Sequence, residues 1–165
     1  MIDLFLEPAK ILISKGVKQF LSSEEQKNLS IAVTDALKRE MRFNIAILKE
    51  IAKLDGSDEN TRCALMASLK TYIFDKANRH PVPLSLLVVQ PLDKTQVVWK
   101  NTEEKERFLK YIRKDQMLLA LIERAYYRIH IGQTLAKCGK HNIDYSYIQF
   151  MLSLANNNVL SINDN

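Results

Sequence analysis

Three histidines and two cysteines are the side chains of this chain best suited to metal binding or proton transfer. The histidines are His80, His130 and His141, and none stands four residues from another, as in a helical zinc site. Cys63 and Cys138 are far apart and belong to no Cys-x-x-Cys motif. We therefore predict no metal site and no bound cofactor, and we expect two reduced thiols in a reducing compartment.

Arg124 and His130 form an Arg-x5-His element inside a segment with helical periodicity. The element resembles the short Arg-to-His signature of the helical higher-eukaryote-and-prokaryote nucleotide-binding ribonucleases, and the resemblance covers seven of the 165 residues. It implies metal-independent cleavage of RNA with His130 as general base. Ala125 stands where that family commonly has a polar residue. On one continuous helix the two side chains would point about 120° apart, so a second protomer or a bend would have to bring them together.

A strip of basic residues follows the same segment, and apolar side chains lie between its two basic groups. A wholly solvated face rarely carries such apolar residues, whereas an apolar centre with charged flanks is typical of a protein interface. We interpret the strip as a contact surface for an acidic protein or for a second copy of the chain. Trp99 is expected to supply a second contact. The predicted strip consists of Lys110, Arg113, Met117, Leu121, Arg124 and Arg128.

Nucleic acid is the alternative partner for these positive charges, because each phosphate contact adds affinity that falls with salt. A nucleic-acid-binding protein usually also presents aromatic side chains for stacking on single strands, or a motif that enters a groove. Neither pattern is evident in the sequence, although Tyr126 and Tyr127 lie nearby. A non-enzymatic interaction or regulatory role therefore comes first, and nucleic-acid binding, with the ribonuclease chemistry, is the alternative.

Glu40 and Asn44 are polar residues that the helical pattern places inside an apolar face. They are four residues apart and fall within a stripe of apolar positions, so they are neighbours on one side of the helix. A buried carboxylate is costly without a partner, and we expect that partner to be Arg124, Tyr126 or Arg128. The two residues are predicted to form a buried polar seam that fixes the register of the helices.

The elements that must position these residues are long helices. Only four glycines and four prolines occur in 165 residues, which leaves few helix breakers. The longest predicted helix covers residues 101–137, about ten turns, from a capping signal at its start to a stop at Cys138-Gly139. The other predicted helices run from residue 3 or 8 to 21, from 23 to 54, from 57 or 58 to 78, and from 144 to 155.

Residues 81–100 do not share this periodicity. Three prolines interrupt any helix there, yet the stretch is too apolar for a solvated loop. We expect two short strands, 86–90 and 95–99, to pair as a hairpin that packs on the bundle or on a partner.

Composition and charge set the remaining bounds. With 165 residues, 47% of them hydrophobic and 26% charged, the chain suits one globular domain, placed at 1–165. No apolar run approaches the roughly 20 residues of a membrane-spanning helix, and the helix at 3–21 is expected to pack in the bundle rather than on a membrane surface. We therefore expect a cytoplasmic all-α protein, a bundle of four to five mostly antiparallel helices with a short apolar non-helical insertion. Its net charge of +5 favours anionic partners.

Overall fold

The computed structural model describes residues 23–80, 84–88, 102–103, 106 and 118–158, and the regular structure in these segments is all helical. The predicted all-α bundle is thereby confirmed. Within the described segments, no helix is both long and apolar enough to cross a membrane. The helices are α1 (Ser23–Ile51), α2 (Glu59–Ala67), α3 (Tyr72–Asn78), α4 (Leu84–Leu87), α5 (Leu118–Lys137) and α6 (Tyr145–Asn158).

Two long helices, α1 and α5, organise the core. Helix α1 packs against α2, α3, α4 and α6, and helix α5 packs against α2 and α6. On α1, the side chains of Val33, Leu37, Met41 and Leu48 are at most 1% exposed and follow one another at intervals of one or two turns. Each buried side chain of this size contributes roughly 1.5–3 kcal/mol of transfer free energy, so burial of the apolar stripe of α1 contributes strongly to the stability of the bundle.

Helix α5 buries the apolar face that its sequence predicts. Leu118, Ile122, Tyr126 and Ile129 are all 0% exposed. The helix is continuous over its 20 described residues, whereas residues 101, 104–105 and 107–117 of the predicted helix lie outside the described residues. The predicted helix at 3–21 also lies outside them.

The predicted stop at Cys138-Gly139 is a Schellman motif. Gly139 has a φ of 66°, in the left-handed region that favours glycine. The N–H of Lys140 donates to the carbonyl of Leu135 at 2.9 Å, and the N–H of Gly139 donates to the carbonyl of Ala136 at 3.1 Å. These bonds satisfy carbonyls that the helix end would otherwise leave free, which is why the chain turns here.

The single helix predicted for residues 57–78 is wrong, because the chain forms two helices, α2 and α3, joined by residues 68–71. The amides of Lys70, Ile73 and Phe74 donate to side chains of α1 rather than to carbonyls one turn back. The apolar spacing continues across the break, which is why the pattern alone does not reveal it.

The strand predicted to begin at residue 86 is also wrong where the structure describes it, because Leu84–Leu87 is a turn of helix. Leu84, Leu87 and Val88 are at most 4% exposed, at the spacing of one helical face. The hydroxyl of Ser30 on α1 donates to the carbonyl of Leu87 and holds the turn on the bundle. The second predicted strand, 95–99, lies outside the described residues.

Gly132 marks a close approach of α5 to α2, which yields a test of the packing. A Cβ at this position would collide with the terminal methyl of Met66, itself 0% exposed, and would lie 3.4 Å from Ile143 Cγ2. We expect Gly132→Leu to lower the free energy of unfolding by about 1–3 kcal/mol through overpacking. Urea unfolding followed by circular dichroism measures the change.

Gly56→Leu is the matched control, because no atom lies within 4 Å of a Cβ at that position. Its effect should stay within about 0.5 kcal/mol. Equal losses in the two variants would contradict the close packing of α5 on α2.

Candidate functional site

Asn44, 0% exposed on α1, holds the backbone of Lys70 in the connector between α2 and α3. Its Nδ2 donates to the Lys70 carbonyl at 2.7 Å, and its Oδ1 accepts the Lys70 N–H at 2.7 Å. One amide side chain thus satisfies both backbone groups of that residue. From the other side, Nε2 of Gln133 on α5 donates to the carbonyl of Leu69 at 2.8 Å. The connector is therefore fastened to both long helices.

Glu40, one turn before Asn44, caps the N-terminus of α3 from a separate helix. Its Oε2 accepts the N–H of Ile73 at 2.8 Å, and its Oε1 accepts the N–H of Phe74 at 3.2 Å. Both amides lie in the first turn of α3, where no carbonyl of that helix can reach them. A carboxylate at this position also opposes the positive end of the helix dipole.

Thr71, the residue at the N-cap position just before α3, does not cap the helix through its side chain. Its hydroxyl donates to Oδ2 of Asp75 at 2.8 Å, and it makes no capping bond to the helix amides. Glu40 takes over that role, which explains how a helix of seven residues starts without a local cap.

Burial raises the pKa of the Glu40 carboxyl above its usual value, and the nearby charge of Asp75 adds to that rise. Its hydrogen bonds to the two backbone amides act in the opposite direction because they favour the charged form. Burial, followed by the Glu40 charge, also raises the pKa of the Tyr126 hydroxyl. This hydroxyl lies beside the carboxylate but falls short of a full hydrogen bond to any described group.

Of the three partners expected for Glu40, only Tyr126 is beside it. Tyr126 belongs to the buried face of α5, with 0% of its surface exposed. Arg124 and Arg128 project from other sides of the same helix, so they do not neutralise the buried carboxylate. The main partners are backbone amides, and these cannot be read from side-chain spacing.

A half-exposed contact between a histidine and an aspartate links α3 to α5. Nε2 of His130 lies 2.8 Å from Oδ1 of Asp75, and the two side chains are 40% and 34% exposed. A pair this exposed contributes little to stability. The sequence singles out His130 but gives no sign of Asp75, which is 55 residues away in the chain.

The Arg-x5-His element is not assembled within one chain. Helix α5 passes through Arg124 and His130 without interruption, which leaves their side chains about 120° apart. His130 faces α3, where it meets Asp75. A joint role of the two residues in RNA cleavage would require a second protomer.

The predicted basic strip must be corrected at Leu121, which is 5% exposed and packs in the hydrophobic core. Arg124 is half-buried and Arg128 is exposed, with its guanidinium carbon 5.7 Å from the ring centroid of Tyr147. Tyr127 and Ile131, two large side chains that are not among the six predicted strip residues, are 49% and 51% exposed. We call Arg124, Tyr127, Arg128 and Ile131 the outer face of α5. The remaining predicted contact residues, Trp99, Lys110, Arg113 and Met117, lie outside the described residues.

His141 has partners that its sequence position does not predict. Its Nδ1 lies 2.8 Å from Oε2 of Glu59 and 3.6 Å from Sγ of Cys63, both on α2. Glu59 and Cys63 approach the same ring nitrogen, so they do not form a relay in which one group orients the imidazole and the other reacts with it. Among the described residues, no three His, Cys, Asp or Glu side chains are arranged to hold a metal ion.

A cavity of about 290 Å³ lies between α1 and the start of α6. Leu48, Ile51 and Ile143 form part of its apolar lining, and Arg62 and Asp144 contribute polar groups. Both polar groups have structural roles, because Nη2 of Arg62 donates to the Leu54 carbonyl at 2.7 Å and Oδ1 of Asp144 accepts the Tyr147 N–H at 2.9 Å.

No protein-family model matches the sequence, and no match was found among curated proteins or solved structures. The geometry of the chain itself must therefore carry any assignment of function.

Removing the Asn44 amide tests how firmly the connector is held. In Asn44→Ala, the N–H and the carbonyl of Lys70 lose their partner, and we expect the free energy of unfolding to fall by about 1–3 kcal/mol. Asn60→Ala, at an exposed position on α2, removes the same amide and should cost far less. Equal costs in urea unfolding would contradict the role of Asn44.

The raised pKa of Glu40 predicts the pH dependence of its contribution. Between the ordinary carboxyl value and the raised one, the folded state binds the extra proton, so this contribution to the free energy of unfolding falls as pH rises. Glu40→Gln abolishes the titration. The wild-type free energy of unfolding minus that of Glu40→Gln should therefore decrease from pH 4.5 upwards.

Urea unfolding at half-unit pH steps measures this difference. Asn44→Ala is the neighbouring control without a titratable group, and its difference from wild type should not follow the same trend. A Glu40 difference that increases with pH would show that hydrogen bonding, not burial, dominates the carboxylate.

Proposed function

We propose that this chain is a cytoplasmic, non-enzymatic interaction protein that binds an acidic protein partner through the outer face of α5. The observation that carries the proposal is the joint exposure of Tyr127 and Ile131, one turn apart, beside the exposed Arg128. Two free cysteines, one of them exposed, suit a reducing compartment such as the cytoplasm.

The outer face of α5 has the composition of a binding surface. Tyrosine and arginine are enriched among the residues that dominate binding energy, and the exposed Ile131 supplies apolar area beside them. The helix behind it is rigid, since four of its side chains on the opposite face are 0% exposed and its C-terminus is closed by Gly139. A partner would therefore bind a preformed surface, and binding would cost little conformational entropy.

Charge favours an acidic partner over a second copy of the chain. Arg124 and Arg128 border the apolar pair, and the whole chain carries a net charge of +5. In a symmetric dimer through this face, the same arginines would face each other across the interface, and like charges there cost affinity. A surface with glutamates or aspartates around an apolar side chain complements both features.

A designed helical peptide with an apolar stripe flanked by glutamates is a suitable probe, and fluorescence anisotropy measures its binding. We expect Ile131→Glu and Arg128→Glu each to weaken binding by about tenfold or more, which corresponds to about 1.4 kcal/mol. A scrambled peptide of the same composition should bind more weakly, because it has charge but no apolar stripe.

Lys140→Glu is the matched control, because it makes the same charge change at an exposed position beyond α5. Its effect should remain within about twofold at physiological salt, where exposed charges are screened beyond roughly 8 Å. Equal weakening by Arg128→Glu and Lys140→Glu would show that peptide binding depends only on the net charge of the chain. If light scattering shows a dimer that Ile131→Glu dissociates, the partner of this face is a second copy of the chain rather than an acidic protein.

A further inference from the structure

Two exposed aromatic rings outside the outer face of α5 each lie beneath a lysine ammonium. Phe43 on α1 is 39% exposed, and Lys70 Nζ lies 4.4 Å from its ring centroid. Tyr72, the first residue of α3, is 55% exposed, and Lys76 Nζ lies 5.3 Å from its ring centroid and 3.2 Å from its hydroxyl. We call these four residues the ring–lysine surface.

The connector between α2 and α3 holds Lys70 close to Phe43 and, through the chain, to Tyr72. Asn44 binds the backbone of Lys70, and Phe43 is the residue before Asn44. Tyr72 follows Lys70 by two residues, so their Cα atoms are at most about 7 Å apart. Both rings therefore border the junction of α1 with α3.

The charges described around this junction are predominantly positive. Arg39, one turn before Phe43 on α1, is exposed and adds a third cation to Lys70 and Lys76. The carboxylate of Asp75 on α3 is engaged by His130 and Thr71. The Glu40 carboxylate is 6% exposed and holds two amides, so neither acidic side chain is directed to a ligand on this surface.

We propose that the ring–lysine surface binds single-stranded nucleic acid. Each exposed ring offers a face on which an unpaired base stacks, an interaction worth about 1–3 kcal/mol per base. The lysine ammonium beside each ring moves on its flexible stem to a neighbouring phosphate. Arg39 and the two lysines pair with phosphates, while the rings take the bases.

Single strands fit this surface better than duplexes or acidic peptides. In a duplex the bases are stacked on one another, so their faces are not available to Phe43 and Tyr72. An acidic peptide would satisfy the lysines but would leave both rings without a planar partner. This binding goes beyond the proposed contact with an acidic protein, because it uses α1 and α3 rather than the outer face of α5.

Anisotropy of a fluorescein-labelled oligomer of twelve deoxythymidines tests the proposal with the full chain. Tyr72→Ala and Phe43→Ala should each weaken binding by about fivefold or more, whereas Tyr72→Phe should bind like wild type because it retains the ring. The matched control is Tyr127→Ala, which removes a ring that is 49% exposed on the outer face of α5. It should leave binding within about twofold of wild type.

Salt and strandedness supply the second readout. With three cations on phosphates, the logarithm of the affinity should fall against the logarithm of salt with a slope near −2. A duplex of the same length should bind more weakly than the single strand. Circular dichroism of each variant confirms that it is folded.

The proposal is overturned if wild type does not bind the oligomer at low salt, or if Tyr72→Ala and Tyr127→Ala weaken binding equally. Tighter binding of the duplex would also overturn it. Displacement of the oligomer by the acidic peptide would do the same, if Tyr72→Ala also weakens binding of the peptide. Ile131→Glu separates the two proposals, since it should weaken peptide binding by about tenfold or more and leave oligomer binding within about twofold of wild type.

Discussion

The backbone amides at the start of α3 depend on acceptors from another helix, and this dependence organises the described part of the molecule. Glu40 accepts the amides of Ile73 and Phe74, and Asn44 takes both backbone groups of Lys70. Buried polar groups are costly when unpaired, so the two sides of this contact require each other. Residues 68–71, which interrupt the helical chain between α2 and α3, are therefore held in a fixed position on α1.

Helix α3 is too short to be stable alone, and its position is set by what it packs on. Phe74 stacks on Tyr126 with ring centroids 4.4 Å apart and meets the edge of Tyr127 at 5.9 Å. Asp75 adds the half-exposed pair with His130. Helix α3 thus carries Tyr72 and Lys76 of the ring–lysine surface and contacts α5 through Phe74 and Asp75. Its position depends on the backbone groups that Glu40 and Asn44 hold.

Local chemistry made the helix ends and the buried faces predictable, while long-range contacts did not show in the sequence. Gly139 ends α5 where the sequence indicates, and Asp144 caps the start of α6. Both signals can be predicted because a glycine stop and a capping carboxylate act within a few residues. The apolar stripe of α1 also placed Glu40 inside the bundle. Its backbone partners could not be predicted, since the apolar spacing of residues 65–77 continues across the break. The sequence pattern predicts a surface position for Leu121, which lies at the edge of the buried face. Periodicity alone does not show how much of the helix circumference the neighbouring helices cover.

Amide hydrogen exchange measured by NMR at Lys70, Ile73 and Phe74 tests this arrangement most directly. The three amides donate to buried side chains of α1, so the account predicts that they exchange slowly, at rates comparable to those of amides in the middle of α1. Exchange at the rate of an unstructured peptide at these three residues would show that Glu40 and Asn44 do not hold the connector, and the position of α3 would lose its physical basis.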